Sequence, residues 1–171
     1  LLKKIRQLPK VKKVFIGSGI RHDLVMKDQT YGLEYLEAVI RHHISGQLKV
    51  APEHSEDPIL ALMGKPSIAS FMEFFRCFEK INRRMGKKQF LTCYFIAAYP
   101  GCTLQDMKRL NHFSRSVLKF KPRQIQIFTP SPSTPATLMY YTGRAYDSGK
   151  PLFVEKDKRK KEKQKNLILK G

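Results

Sequence analysis

Four short stretches of this 171-residue chain gather the side chains capable of chemistry: GSGIRHD, APEHSED, AYPGCT and TPSPSTP, beginning at Gly17, Ala51, Ala98 and Thr129. The first offers backbone N–H groups, the Ser18 hydroxyl and the Arg21 guanidinium. That set suits a carboxylate or phosphate, with Arg21 as a forked donor; GSG is equally an ordinary strand-ending turn. His22 beside Asp23 is a base candidate or a surface histidine. The second stretch holds Ser55, His54 and three acids, the residue types of a hydrolase. Neighbours on one turn diverge, however, and do not align as nucleophile, base and orienter. Glu53 and Ser55 are better suited to exchanging hydrogen bonds with ribose hydroxyls or an amine. In the third, Ala97 and Ala98 leave room for a flat ligand beside the backbone. Gly101 permits unusual dihedrals there, and the helix that follows opens with a mildly positive end. The fourth has too few donors to cradle a phosphate and reads as a rigid wall.

Other chemistries are excluded by pattern. There is no HExxH and no P-loop glycine–lysine signature, and His42–His43 does not resemble a metal-ligand pair. The three cysteines, Cys77, Cys93 and Cys102, form no CxxC and no disulfide framework, which favours a reducing, cytoplasmic setting.

The elements that must position these corners alternate. A strand is expected over Val11–Gly19, centred on Val14-Phe15-Ile16. A helix follows over Tyr31–Ile44, with Leu33, Leu36, Val39 and Ile40 on one face. QLKVAP, Gln47–Pro52, reads as a short strand. Asp57-Pro58 opens a short helix that Gly64 ends. Ser67 opens a longer one, where Ile68, Phe71, Phe75, Phe78 and Met85 recur at helical spacing as a core stripe and Gly86 closes the helix. Gln89–Ala97 is apolar at nearly every position, as a strand covered on both faces is. Thr103 and Asp106 have capping-box spacing for a helix reaching about Phe120, with Asp in place of the usual Glu or Gln. Arg123–Pro130 is the last strand, and a short helix over Ala136–Tyr141 ends at Gly143. Strand–helix order of this kind implies right-handed βαβ units and a parallel sheet. The fold class expected is α/β, with about four βα units, as an open sheet or part of a (β/α) barrel. In both, ligands gather at the C-terminal ends of the strands, where the four corners lie.

Apolar content of 42% suits a globular domain rather than disorder. No apolar run approaches the ~18 residues that span a membrane, and LLKKIRQLPK lacks the apolar core of a signal peptide. That opening reads like the last turns of a helix, so the chain is expected to be a piece of a longer protein. Residues 1–150 are expected to form the α/β domain and 151–171 a basic, helical tail. A net charge of +19, densest in VEKDKRKKEKQKNLILKG, points to an anionic partner. An RNA-binding module gripping through that Lys/Arg tail is therefore an alternative function; a solvated helix is the plain one.

Taken in order, VFIGSGIRHDL, LKVAPEHSEDPILALMGKP, YFIAAYPGCTLQDM and IQIFTPSPSTPATLMYYTG resemble the C-terminal half of the catalytic domain of radical S-adenosylmethionine (SAM) proteins. The likeness is nearest to the YgiQ-type subgroup, whose members are largely uncharacterised, and runs from about Val11 to the basic tail. It implies later strands of a partial (β/α)6 barrel in an enzyme with SAM and a 4Fe–4S cluster as cofactors. The cluster donates an electron to SAM and releases a 5′-deoxyadenosyl radical. The resemblance implies that Glu53, Ser55, Ala97 and Ala98 contact SAM and that Ser18 and Arg21 face the ligand or substrate. It assigns no catalytic residue and no substrate. Many relatives read FIVGFPGET where this chain reads FIAAYPGCT, so Ala98 stands for a Gly and Cys102 for a Glu. CxxxCxxC, whose thiolates hold the cluster, is absent from the chain. The chain is thus expected to lack separate activity, with the N-terminal part of the same domain as its partner.

Overall fold

A computed structural model describes residues 1–170. Its elements run α1 (Leu2–Arg6), β1 (Gly19–Ile20), α2 (His22–Lys27), α3 (Gly32–His42), β2 (Gln47–Glu53), α4 (Asp57–Leu62), α5 (Ile68–Arg84), β3 (Phe90–Ala97), α6 (Leu104–Ser116), β4 (Gln124–Ile127), α7 (Pro135–Thr142) and α8 (Lys158–Lys170). The strands form one parallel sheet in the order β1-β2-β3-β4, the α/β arrangement expected of a piece of a β/α barrel. Two compact units are present. One comprises Leu1–Ala51 and Ala69–Thr92; the other comprises Pro52–Ile68 and the chain from Cys93 onward.

In the first unit, Leu36, Val39 and Ile40 of α3 are buried at i, i+3, i+4 spacing, while Leu33, expected on the same face, is exposed. Leu48 and Val50 alternate inward along β2. The α5 stripe is rotated from expectation: Phe71, Phe74, Phe78 and Ile81 are buried, while Phe75, Ile68 and Met85 are half-buried. His22 packs edge-on against Phe71, with ring centroids 5.3 Å apart, and is buried rather than a surface histidine. Gly32 is forced by crowding, since a Cβ there would stand 1.9 Å from the Val25 carbonyl oxygen.

The strand expected over Val11–Gly19 is corrected: only Gly19 and Ile20 join the ladder, opposite Lys49 and Val50 of β2. The β-rich centre finds other partners. Ile16 N–H donates to the His43 carbonyl at 2.9 Å, and His43 Nδ1 donates to the Val14 carbonyl at 2.8 Å. α2, with no periodicity to announce it, follows at once.

In the second unit, Ile59, Leu60, Cys93, Phe95, Ala97, Met107, Leu110, Met139 and Ile168 are buried. After an exposed Phe90, β3 alternates buried and half-buried positions rather than being sealed on both faces. It pairs with β4 from Tyr94 opposite Gln124 to Ala97 opposite Ile127. Asp57 accepts from Ser67 Oγ and from Ile68 N–H, both at 2.8 Å, so one carboxylate in the first turn of α4 also caps α5. The capping box of α6 is present as spelled: Asp106 N–H donates to Thr103 Oγ1 at 3.3 Å and Thr103 N–H to Asp106 Oδ2 at 2.7 Å. That helix stops at Ser116, short of Phe120, where Lys119 turns left-handed at φ 57°. The basic C-terminal block is a helix with a buried side: α8 packs against α6 and β4, with Gln164 and Ile168 inward. Among the described residues, no helix is long and apolar enough to cross a membrane.

Candidate functional site

The ends of β2 and β3 leave the sheet in the same unusual way. Glu53, last residue of β2, has φ 69°, and Ala98, first after β3, has φ 56°. Neither is glycine, and a left-handed L-residue costs about 1–2 kcal/mol. Strain of this kind persists only where surrounding contacts over-determine it.

At the β3 end the contacts are plain. Ala97 and Ala98 are fully buried. The Ala97 carbonyl accepts from Phe128 N–H at 2.9 Å, and Ala98 N–H donates to Gln164 Oε1 at 2.9 Å. Gln164 Nε2 donates to the Cys102 carbonyl at 3.4 Å, so one α8 amide closes both sides of the corner. Gly101 has φ 92°, and a Cβ there would stand 2.6 Å from Leu62 Cδ1, so only glycine fits without a shift.

At the β2 end, burial raises the Glu53 carboxyl above its ordinary range, with Lys65 Nζ, 3.5 Å from Oε1, opposing. Ser55 is buried and donates to Glu56 Oε1 at 3.3 Å. Glu56 Oε2 accepts from Arg109 Nε at 2.5 Å, and Arg109 also bonds Asp106, joining the corner to α6.

His54 links the two strand ends. Its Nδ1 accepts the Glu56 N–H at 3.1 Å, which leaves the neutral ring's proton on Nε2, 3.6 Å from Cys102 Sγ. The Cys102 thiol in turn lies 3.7 Å from Gln164 Oε1. A cysteine and histidine in contact suggest an activated nucleophile, but the surroundings forbid it. Burial drives the imidazole down to about 4 and the thiol up to about 12. Both groups stay neutral, and a thiolate–imidazolium pair does not form. The chain His54–Cys102–Gln164–Ala98 is a buried polar brace.

Ser18 and Arg21 belong to the first unit. Ser18 is exposed. Arg21 spends its fork on Asp23, with Nε and one terminal nitrogen donating to the two carboxylate oxygens at 2.8 and 2.5 Å. That pairing holds the Asp23 carboxyl down at about 2. Thus Glu53, Ser55, Ala97 and Ala98 share one unit, while Ser18 and Arg21 stand in the other.

Sequence reasoning missed Gln164 and Arg109. The one available signal for Gln164 was its place as the uncharged residue between Lys158 and Lys165, four residues before Ile168. Among the described residues no group of three His, Cys, Asp or Glu side chains is placed to hold a metal ion.

The chain is 52% identical over 168 residues, 98% of its length, to a UPF0313 protein of Fusobacterium nucleatum, of which it covers 30%. It is 46% identical over 170 residues to a UPF0313 protein of Porphyromonas gingivalis, covering 96% of this chain and 27% of that one. Over 156 residues it is 46% identical to a UPF0313 protein of Methanocella arvoryzae, covering 91% and 25%. It therefore spans less than a third of the length of each of these relatives. No family model matches the chain. The chain is thus similar, over nearly all its length, to proteins that carry the UPF0313 name.

Proposed function

We propose that this chain supplies the SAM- and substrate-facing strand ends of a radical SAM enzyme of the UPF0313, YgiQ-type family. The observation that carries the reading is Glu53: a half-buried carboxyl, held left-handed at the C-terminal end of a parallel strand. An acid kept in a strained conformation at a barrel-type strand end is costly scaffold and a good hydrogen-bond partner for ribose hydroxyls or an amine. Similarity to UPF0313 proteins over 98% of the chain supports it.

The residues present do not fit the iron–sulfur cluster. Cys93 and Cys102 are buried thiols pushed up to about 12, and Cys77 lies in the other unit. No step through the cluster is assigned to this chain. SAM fits better at Glu53 than at Ala98, whose N–H is already taken by Gln164. Glu53 then makes the polar contact, while Ala97 and Ala98 are fully buried and offer the ligand no surface.

The test is anaerobic reconstitution of the full-length protein with iron and sulfide, followed by reduction in the presence of SAM. Formation of 5′-deoxyadenosine supports the reading; a reconstituted cluster without it sinks the reading. In the same protein, Glu53→Gly should weaken SAM binding while leaving stability near neutral, because relief of the left-handed backbone, about 1–2 kcal/mol, is offset by the freedom of unfolded glycine and loss of the Lys65 contact.

A further inference from the structure

We propose that the outer side of α8 and the neighbouring face of α7 bind a single-stranded nucleic acid. Lys156, Lys158, Arg159, Lys160 and Lys163 are exposed, and none joins an ion pair among the described residues. Arg159 and Lys163 lie four apart on one helix, a like-charge spacing that is repulsive unless an anion intervenes. The basic side is not a loose tail, because Gln164 and Ile168 anchor the opposite side in the core. Its charges are therefore presented on a fixed surface.

Aromatic rings adjoin one edge of that surface, at Lys156 and Lys161. Lys161 donates to Tyr140 Oη at 2.9 Å, with its ammonium 4.6 Å from the ring centroid, and Lys156 approaches the same ring at 5.8 Å. Tyr141 meets Tyr140 edge-on at 5.4 Å and is 69% exposed. Lysines that neutralise phosphates beside an open π face on which a base can stack are the two components of a single-strand platform. An acidic peptide would use the lysines and have no need of Tyr141. This surface is independent of the SAM reading: loss of 5′-deoxyadenosine formation would leave it standing.

The experiment measures fluorescence anisotropy of fluorescein-labelled oligouridylate and oligothymidylate with the full-length protein. A footprint of roughly four phosphates predicts affinity falling about 50-fold between 50 and 200 mM salt. Lys156→Gln with Lys158→Gln, both exposed and the first beside Tyr140 of α7, should flatten that dependence, and Tyr141→Ala should weaken binding roughly tenfold. Lys87→Gln with Lys88→Gln, exposed in the other unit, should change neither. All are surface changes, and circular dichroism confirms folding. Equal binding of both oligomers, or a preference for one, supports the surface and names its source. No binding at 50 mM salt overturns it, as does indifference to Tyr141→Ala. Equal, Tyr141-independent binding of polyglutamate or phosphatidylserine vesicles also overturns it.

Discussion

Gln164 Oε1 accepts the backbone N–H of Ala98 at 2.9 Å, across 66 residues of chain, and both partners are buried. One side-chain amide thereby holds the corner after β3 and ties α8 to it. Replacing Gln164 with Met keeps the volume and removes the bonds. Two backbone groups, Ala98 N–H and the Cys102 carbonyl, then lose that partner. Urea unfolding should show a loss of about 2 kcal/mol. Hydrogen exchange at the Ala98 amide should accelerate more than at neighbouring β3 amides.

Ala98 carries two opposed costs. Removing its buried methyl loses about 0.8 kcal/mol, while relieving its left-handed backbone gains about 1–2 kcal/mol. The greater freedom of unfolded glycine takes back about 0.5–1 kcal/mol. Ala98→Gly should therefore be near neutral, whereas Ala97→Gly, in extended β3, should cost about 1–2 kcal/mol. Equal destabilisation by the two would contradict the left-handed assignment. Ala98→Val, β-branched in a filled space, should cost about 3 kcal/mol.

His54 makes the fold sensitive to acid. Burial holds its folded-state pKa near 4, below the ordinary 6.5, so between those values the unfolded chain binds a proton that the folded one refuses. Stability is complete above about pH 6.5 and falls as pH drops toward 4, by on the order of 3 kcal/mol. His54→Asn keeps an acceptor for the Glu56 N–H and removes the titration. Its urea midpoint should vary less between pH 7 and pH 4 than that of the parent.

Cysteine labelling separates buried from reachable thiols. Cys77 is half-buried, while burial pushes Cys93 and Cys102 up to about 12. At pH 8 iodoacetamide should modify Cys77 in the folded protein and the other two only in urea, with mass spectrometry assigning the sites. Rapid labelling of Cys102 in the native state would show that the His54 brace is open.

Much of the fold was legible because its signals are local. The short strand at QLKVAP, the Thr103–Asp106 spacing and the Pro58 helix start each need only a few neighbours, and each appears where the residues place it. Val14-Phe15-Ile16 misled because β-propensity records a liking for extended backbone, not the identity of a partner. That segment is satisfied by His43 instead of a ladder. The strand-end residues Glu53 and Ala98 were legible by position, but their left-handed backbone was not, since neither is glycine. Gln164 was the least legible: its burial answers an N–H 66 residues away, and nothing beside it in a lysine-rich helix reports that debt.

The span between Ala98 and Gln164 also sets an order of events during synthesis. At about 5–20 residues per second, the ribosome takes several seconds to go from one to the other. Through that interval β3 can extrude and pair with β4, yet its terminal corner still lacks the acceptor for Ala98 N–H. The corner is therefore among the last parts of the second unit to mature. A nascent chain paused before α8 would present an open strand end where the finished protein presents a closed one.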